Sequence, residues 1–125
     1  MARQGSGLLR AQALAAYRGR CAISDYDVEQ ALEAAHIVPY LGDHTNLVAN
    51  ALLLRADLHT LFDRQLLDID PSDLRVRLAP ELRGTAYAGL EGKPLRLPKG
   101  VKPADLCRML QTRRSHMLEA ASGGV

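Results

Sequence analysis

Short apolar runs alternate with polar stretches along this chain, and the period of the apolar positions changes from one run to the next. Leu8–Tyr17 repeats at helical spacing, with Leu8, Leu9, Ala13, Ala16 and Tyr17 roughly on one side and Arg10 on the other, and Gly19 marks its stop. Cys21-Ala-Ile-Ser24 is a short apolar piece before the acidic turn Asp25-Tyr-Asp27. Leu32–Tyr40 reads as a strand ending near Pro39, Leu41–Val48 as a polar loop, and Asn50–Arg55 as a second, buried strand. From Ala56 to about Gln65 the spacing turns helical. Leu58, Leu61 and Phe62 form the packing stripe there, while His59 and Asp63 share another face. Leu66–Asp70 and Leu74–Leu78 bracket Pro71-Ser-Asp73, and the strict alternation of the second run predicts a hairpin with one wet face. Residues 80–102 hold Gly84, Gly89, Gly92, Pro94, Pro98 and Gly100, which predicts loops and short extended pieces. Pro103 introduces a terminal helix over Ala104–Ala121, and Ser122–Val125 is a frayed tail.

These elements predict an α+β fold. Its core is a strand–loop–strand–helix unit over about residues 32–66, with an N-terminal helix over about 8–18, a C-terminal helix over about 104–121 and an additional β-hairpin. At 125 residues the chain is expected to form one domain, 1–125. The apolar share is 47%, with one Phe, four Tyr and no Trp, so the core must rely on close aliphatic packing.

Net charge is only +2, but it is unevenly spread: residues 1–24 carry +4, residues 25–91 carry −7 and residues 92–125 carry +5. Basic ends around an acidic middle suit a phosphate backbone gripped at the rim of a metal-binding centre, and equally suit solvated faces that keep the chain soluble. Cys21 and Cys107 form no C-x-x-C, which points to reduced, buried thiols in a cytoplasmic protein. No secretory or membrane segment is evident, since Arg10 and Gln12 interrupt the apolar stretch at 8–17.

The candidate chemistry lies in the middle of the chain. His36 sits in the apolar run Glu33-Ala-Ala-His-Ile-Val-Pro39, and Asn50 and His59 follow at intervals of 14 and 9. Imidazole changes charge near neutral pH and can take a proton from water, so His36 is the candidate general base. Asn50 either holds the loop or fixes the His36 ring, with loop-holding first; Asn46 is the alternative if the register slips. His59 lies off the packing stripe and is the candidate metal ligand, and Asp63, one turn later, can add a carboxylate oxygen or simply pair with Arg64 or Arg55. Imidazole plus carboxylate accommodates a divalent cation, Mg²⁺ first, with Mn²⁺, Ni²⁺ or Zn²⁺ admitted by the same donors. Arg55 is the candidate phosphate clamp, with Arg18 and Arg20 as alternatives. His44 has a weaker claim to substrate contact, and His116, beside Arg113 and Arg114, suggests a basic helix face meeting phosphates.

Several segments together resemble the HNH endonuclease domain of the His-Me finger, or ββα-metal, superfamily, in the subtype found in restriction-type bacterial nucleases. They are Arg3-Gln-Gly5, Ala15-Ala-Tyr17, Arg20-Cys-Ala-Ile-Ser24, Ala34-Ala-His-Ile-Val-Pro-Tyr40, Asn50-Ala-Leu-Leu-Leu-Arg55 and Asp57-Leu-His-Thr-Leu-Phe-Asp63, and they cover about residues 3–70. The resemblance implies that His36 is the base, that Asn50 shapes the loop and that His59 binds the metal. Two positions depart from the pattern. Many superfamily members carry a metal-binding Asp or His where this chain has Ala35, and similar sequences often carry Gly where it has Ala51.

The expected activity is therefore metal-dependent hydrolysis of DNA, in a restriction or defence setting. The rival is a non-catalytic nucleic-acid-binding module that keeps the fold, for which Ala35 is the best argument. A structural zinc module is disfavoured because cysteines at ligand spacing are missing. Paired subunits would be needed for concerted double-strand cuts, and target choice would fall to a separate recognition domain or subunit.

Overall fold

A computed structural model describes residues 6–39 and 47–123, with side chains over 7–39 and 47–118. His44 and Asn46 lie outside the described residues. In chain order the elements are α1 (Ser6–Ala16), β1 (Leu32–His36), β2 (Ala51–Arg55), α2 (Ala56–Asp63), β3 (Leu67–Ile69), β4 (Val76–Leu78) and α3 (Pro103–Gly123), with single 3-10 turns between them. Helices and two small antiparallel sheets make this an α+β fold.

β1 and β2 pair antiparallel, with Leu32 opposite Arg55 and His36 opposite Ala51. Residues directly opposite share a face, so Glu33 and Ala35 lie with Leu54 and Leu52, and Ala34 and His36 lie with Leu53 and Ala51. Ala51 through Leu54 are all fully buried. A run that is apolar at every position, not every second one, is what a strand covered on both faces requires. The N-terminal segment braces this hairpin at two points: Arg10 Nε, on α1, donates to the Leu32 carbonyl at 3.3 Å, and Tyr17 Oη, just past α1, donates to the Ala51 carbonyl at 3.0 Å.

Element edges differ from expectation for local reasons. β1 stops at His36, not near Pro39, and Asn50 closes the 3-10 turn Val48–Asn50 instead of opening β2. α2 ends at Asp63 because Gln65 adopts a left-handed φ of 63°, which brings Leu66 N to the Leu61 carbonyl at 2.9 Å. The second hairpin is shorter than predicted. Asp70 Oδ1 accepts both the backbone N–H and the hydroxyl of Ser72, at 2.9 and 2.7 Å, and turns the chain early. Its alternation holds, with Leu67, Ile69, Val76 and Leu78 all buried. α3 adds Leu106 and Leu110 to the core. The two thiols are unpaired, and only Cys21 is buried; Cys107 is half-exposed.

Candidate functional site

α2 follows β2 without a linking residue, so its side chains come back over the hairpin they have just left. One product of that geometry is a three-residue chain of contacts. Glu33 Oε1 lies 2.7 Å from His59 Nδ1, and His59 Nε2 lies 3.2 Å from Asp63 Oδ2. His59 and Asp63 meet because four residues make one helical turn. Glu33 joins them from β1, across 26 positions of sequence. Sequence reading missed Glu33, although a carboxylate inside the apolar run Leu32-Glu-Ala-Ala-His36 is a usable signal.

The order of contacts around His59 has a chemical consequence. A neutral imidazole carries one N–H. If Nδ1–H donates to Glu33, Nε2 presents a lone pair to a carboxylate oxygen. Two acceptors at 3.2 Å need a proton or a cation between them. A 3.2 Å separation spanned by two metal–ligand bonds of about 2.1 Å gives an angle of roughly 100°. That lies within the octahedral-to-tetrahedral range, so the donor pair fits a divalent ion. Among the described residues no cluster of three or more His, Cys, Asp or Glu side chains forms a complete metal cage. Ala35 is fully buried and offers no donor. The cation would therefore hold two protein donors and draw the rest from water and phosphate, as Mg²⁺ commonly does. Glu33 and Asp63 are both more than half exposed, which leaves the site open to solvent.

His36 is the last residue of β1 and is half-buried. The chain just beyond it is held tightly. Ile37 N donates to the Asn50 carbonyl at 3.0 Å, Asn50 Oδ1 accepts the Val38 N–H at 2.8 Å, and Asn50 Nδ2 donates to the Val38 carbonyl at 3.1 Å. Asn50 is only 2% exposed, so these bonds satisfy backbone groups that water does not reach. A second hold comes from α3. Arg113 donates through Nη1 to the Ile37 carbonyl at 3.1 Å and through Nη2 to the Phe62 carbonyl. One guanidinium spanning both carbonyls keeps them within about 8 Å of each other. His36 precedes the first carbonyl and Asp63 follows the second, so the strand end and the helix end converge.

The candidate arginines have other partners. Arg55 forms a bidentate fork with Asp57, Nε to Oδ1 at 2.6 Å and Nη2 to Oδ2 at 3.0 Å, and its guanidinium sits 5.5 Å from the Tyr26 ring centre. Tyr87 Oη donates to Asp57 Oδ2 at 2.8 Å. Those hydrogen bonds, Arg55 first, hold the Asp57 carboxyl below its ordinary value. Arg20 faces Asp25 and Asp27 at 3.5 and 3.9 Å, and Arg18 is exposed just past the end of α1. Among the described residues no ion pair joins Arg18 or Arg20 to the His59 cluster. The basic face expected around His116 is not one surface: Arg113 turns inward, and Arg114 Nε pairs with Asp68 at 3.1 Å. The helix stripe of α3 decides this, because Arg113 lies one turn beyond Leu110 on the core side.

Residues 21–70 match the family model described as HNH endonuclease. Among solved structures, a chain named as a modification-dependent TagI restriction endonuclease is similar, with a TM-score of 0.57 and 25% identity over 83% of this chain. This chain spans about 35% of the length of that one. No curated protein matches. Among the described residues no helix is long and apolar enough to cross a membrane. The segment that matches the HNH endonuclease family model, 21 to 70, is the one that holds His36, Asn50, His59 and Asp63.

Proposed function

We propose that this chain is a metal-dependent endonuclease that hydrolyses phosphodiester bonds of DNA. The observation that carries the reading is the His59 Nε2–Asp63 Oδ2 pair, 3.2 Å apart, with Glu33 against the other ring nitrogen. Carboxylate, imidazole and cation in that order is how a metal-bound histidine is usually held, its other ring nitrogen fixed by a carboxylate. A bound Mg²⁺, Mn²⁺, Ni²⁺ or Zn²⁺ would supply charge stabilisation at the phosphoryl and leaving oxygens.

His36 takes the proton of a water molecule as that water's oxygen bonds to phosphorus. The P–O3′ bond breaks, the 3′-oxygen leaves with its electron pair and takes a proton from solvent, and the ends are 5′-phosphate and 3′-hydroxyl. Asn50 holds the turn after His36 so that the ring keeps its place. His59 and Asp63 would hold the cation, and Glu33, 2.7 Å from Nδ1, keeps the His59 ring from rotating. Arg55 commits Nε and Nη2 to Asp57, so its contribution to phosphate binding is a single contact through Nη1. Arg18 and Arg20 serve as outer DNA contacts. Similarity to a modification-dependent restriction endonuclease favours a restriction role, with target choice in a further domain or subunit.

Nicking of supercoiled plasmid in the presence of Mg²⁺ or Mn²⁺, and its loss in EDTA, is the test. Retarded DNA without metal-dependent cleavage would favour instead a binding module that keeps the fold, the reading that buried Ala35 supports.

A further inference from the structure

We propose that Arg113 is a positioning residue of this site: its guanidinium sets the spacing between the strand that carries His36 and the helix that carries His59 and Asp63. The inference rests on the nuclease reading above. Arg113 lies on α3, beyond the segment matched by the family, and is 7% exposed. Arginine is among the residues least often buried, because drying a guanidinium is costly unless its donors are met. Here burial lowers the tendency of Arg113 to hold its proton, and Asp68 and Asp63 oppose that through space. At neutral pH the group stays charged.

What it bonds is informative. Its partners are not carboxylates but two main-chain carbonyls, Ile37 and Phe62, and its carbon lies 3.7 Å from the centre of the Phe62 ring. A planar group stacked on a ring cannot turn, so the two carbonyls are set against a fixed template. Nε and one oxygen of Asp68 are buried without a hydrogen-bond partner, so the arrangement is not the most economical way to fill this part of the core. A methionine or leucine would fill it without that cost. The fork contributes something an apolar side chain cannot, the register between β1 and α2. Catalysis is sensitive to this, since small misplacement of reacting groups lowers rate steeply.

The test uses Arg113→Lys and Arg113→Met in the full chain. Lysine keeps the charge but lacks the fork; methionine keeps the volume and covers the case in which one variant does not fold. Thermal denaturation first fixes a temperature well below the transition of each. In the folded variants kcat for plasmid nicking is expected to fall roughly 10–100-fold. KM for DNA and the dissociation constant for Mn²⁺ should hold, because both cation donors lie on α2. Independently of cleavage, bound Mn²⁺ should broaden the His36 ring resonances strongly in the wild-type protein and less in the variants. Wild-type kcat and wild-type broadening in a folded variant would overturn the proposal and leave Arg113 as packing. A wild-type protein that binds Mn²⁺ but does not nick DNA removes the nuclease reading alone, while one that binds no Mn²⁺ removes the cation site and this proposal with it.

Discussion

Glu33 and His59 are 26 residues apart in the chain and 2.7 Å apart in the fold, a carboxylate on a strand meeting the Nδ1 of an imidazole on a helix. The contact fixes which ring nitrogen is left for anything else. Glu33→Gln should therefore weaken Mn²⁺ binding or metal-dependent nicking roughly 10–100-fold, as losses of outer-shell partners do. Because the pair is partly exposed, the melting temperature should scarcely move. Metal titration of nicking, set beside a thermal melt, checks both halves.

His36→Ala should remove nearly all cleavage, at least about 100-fold, while leaving DNA retardation and Mn²⁺ binding in place. Residual nicking close to wild type would take the base assignment from His36. Circular dichroism of the variant confirms that the fold has survived.

Asn50→Ala strips two hydrogen bonds from Val38 and leaves its N–H and carbonyl dry. Each unsatisfied group costs about 1–3 kcal/mol. Chemical denaturation should show a loss of about 2–4 kcal/mol, well above that for an exposed polar residue. A loss below about 1 kcal/mol would mean that the turn after His36 does not depend on this side chain.

Acid stability should report on Asp57. Its folded carboxyl is depressed below the ordinary 3.8 by Arg55 first and then Tyr87. A depressed carboxyl contributes stability in full above its unfolded value and loses it as pH falls through the folded one. Asp57→Asn should therefore be less stable than wild type near neutrality, and the gap should narrow below about pH 4. The pair is partly exposed, so the gap is modest. Parallel melts between about pH 2 and 7 measure it; a gap that widens on acidification would contradict the sign.

The order of the central elements was readable because each leaves a local mark. Leu58, Leu61 and Phe62 repeat at helical spacing, and His59 and Asp63 meet by the same period. Element ends were harder. Gln65 stops α2 through a left-handed φ, a conformation its side chain does not advertise. The partners of the site residues were hardest, since they are contacts across distance in sequence. Nothing near Arg55 says that Asp57 will take its fork while Tyr87, 30 residues on, completes the carboxylate. Arg113 reads as one more charge in a basic run beside Arg114 and His116, and only packing reveals that it faces Phe62.

The hairpin is gripped from outside itself around its His36–Ala51 pair: Tyr17, just past the N-terminal helix, reaches the Ala51 carbonyl, and Arg113 reaches Ile37 from the C-terminal helix. Neither residue falls within 21–70. A transplant of that segment into another scaffold would carry His36, Asn50, His59 and Asp63 but abandon both fasteners. The portable module is thus longer than the recognisable one, and its borders run at least from Tyr17 to Arg113.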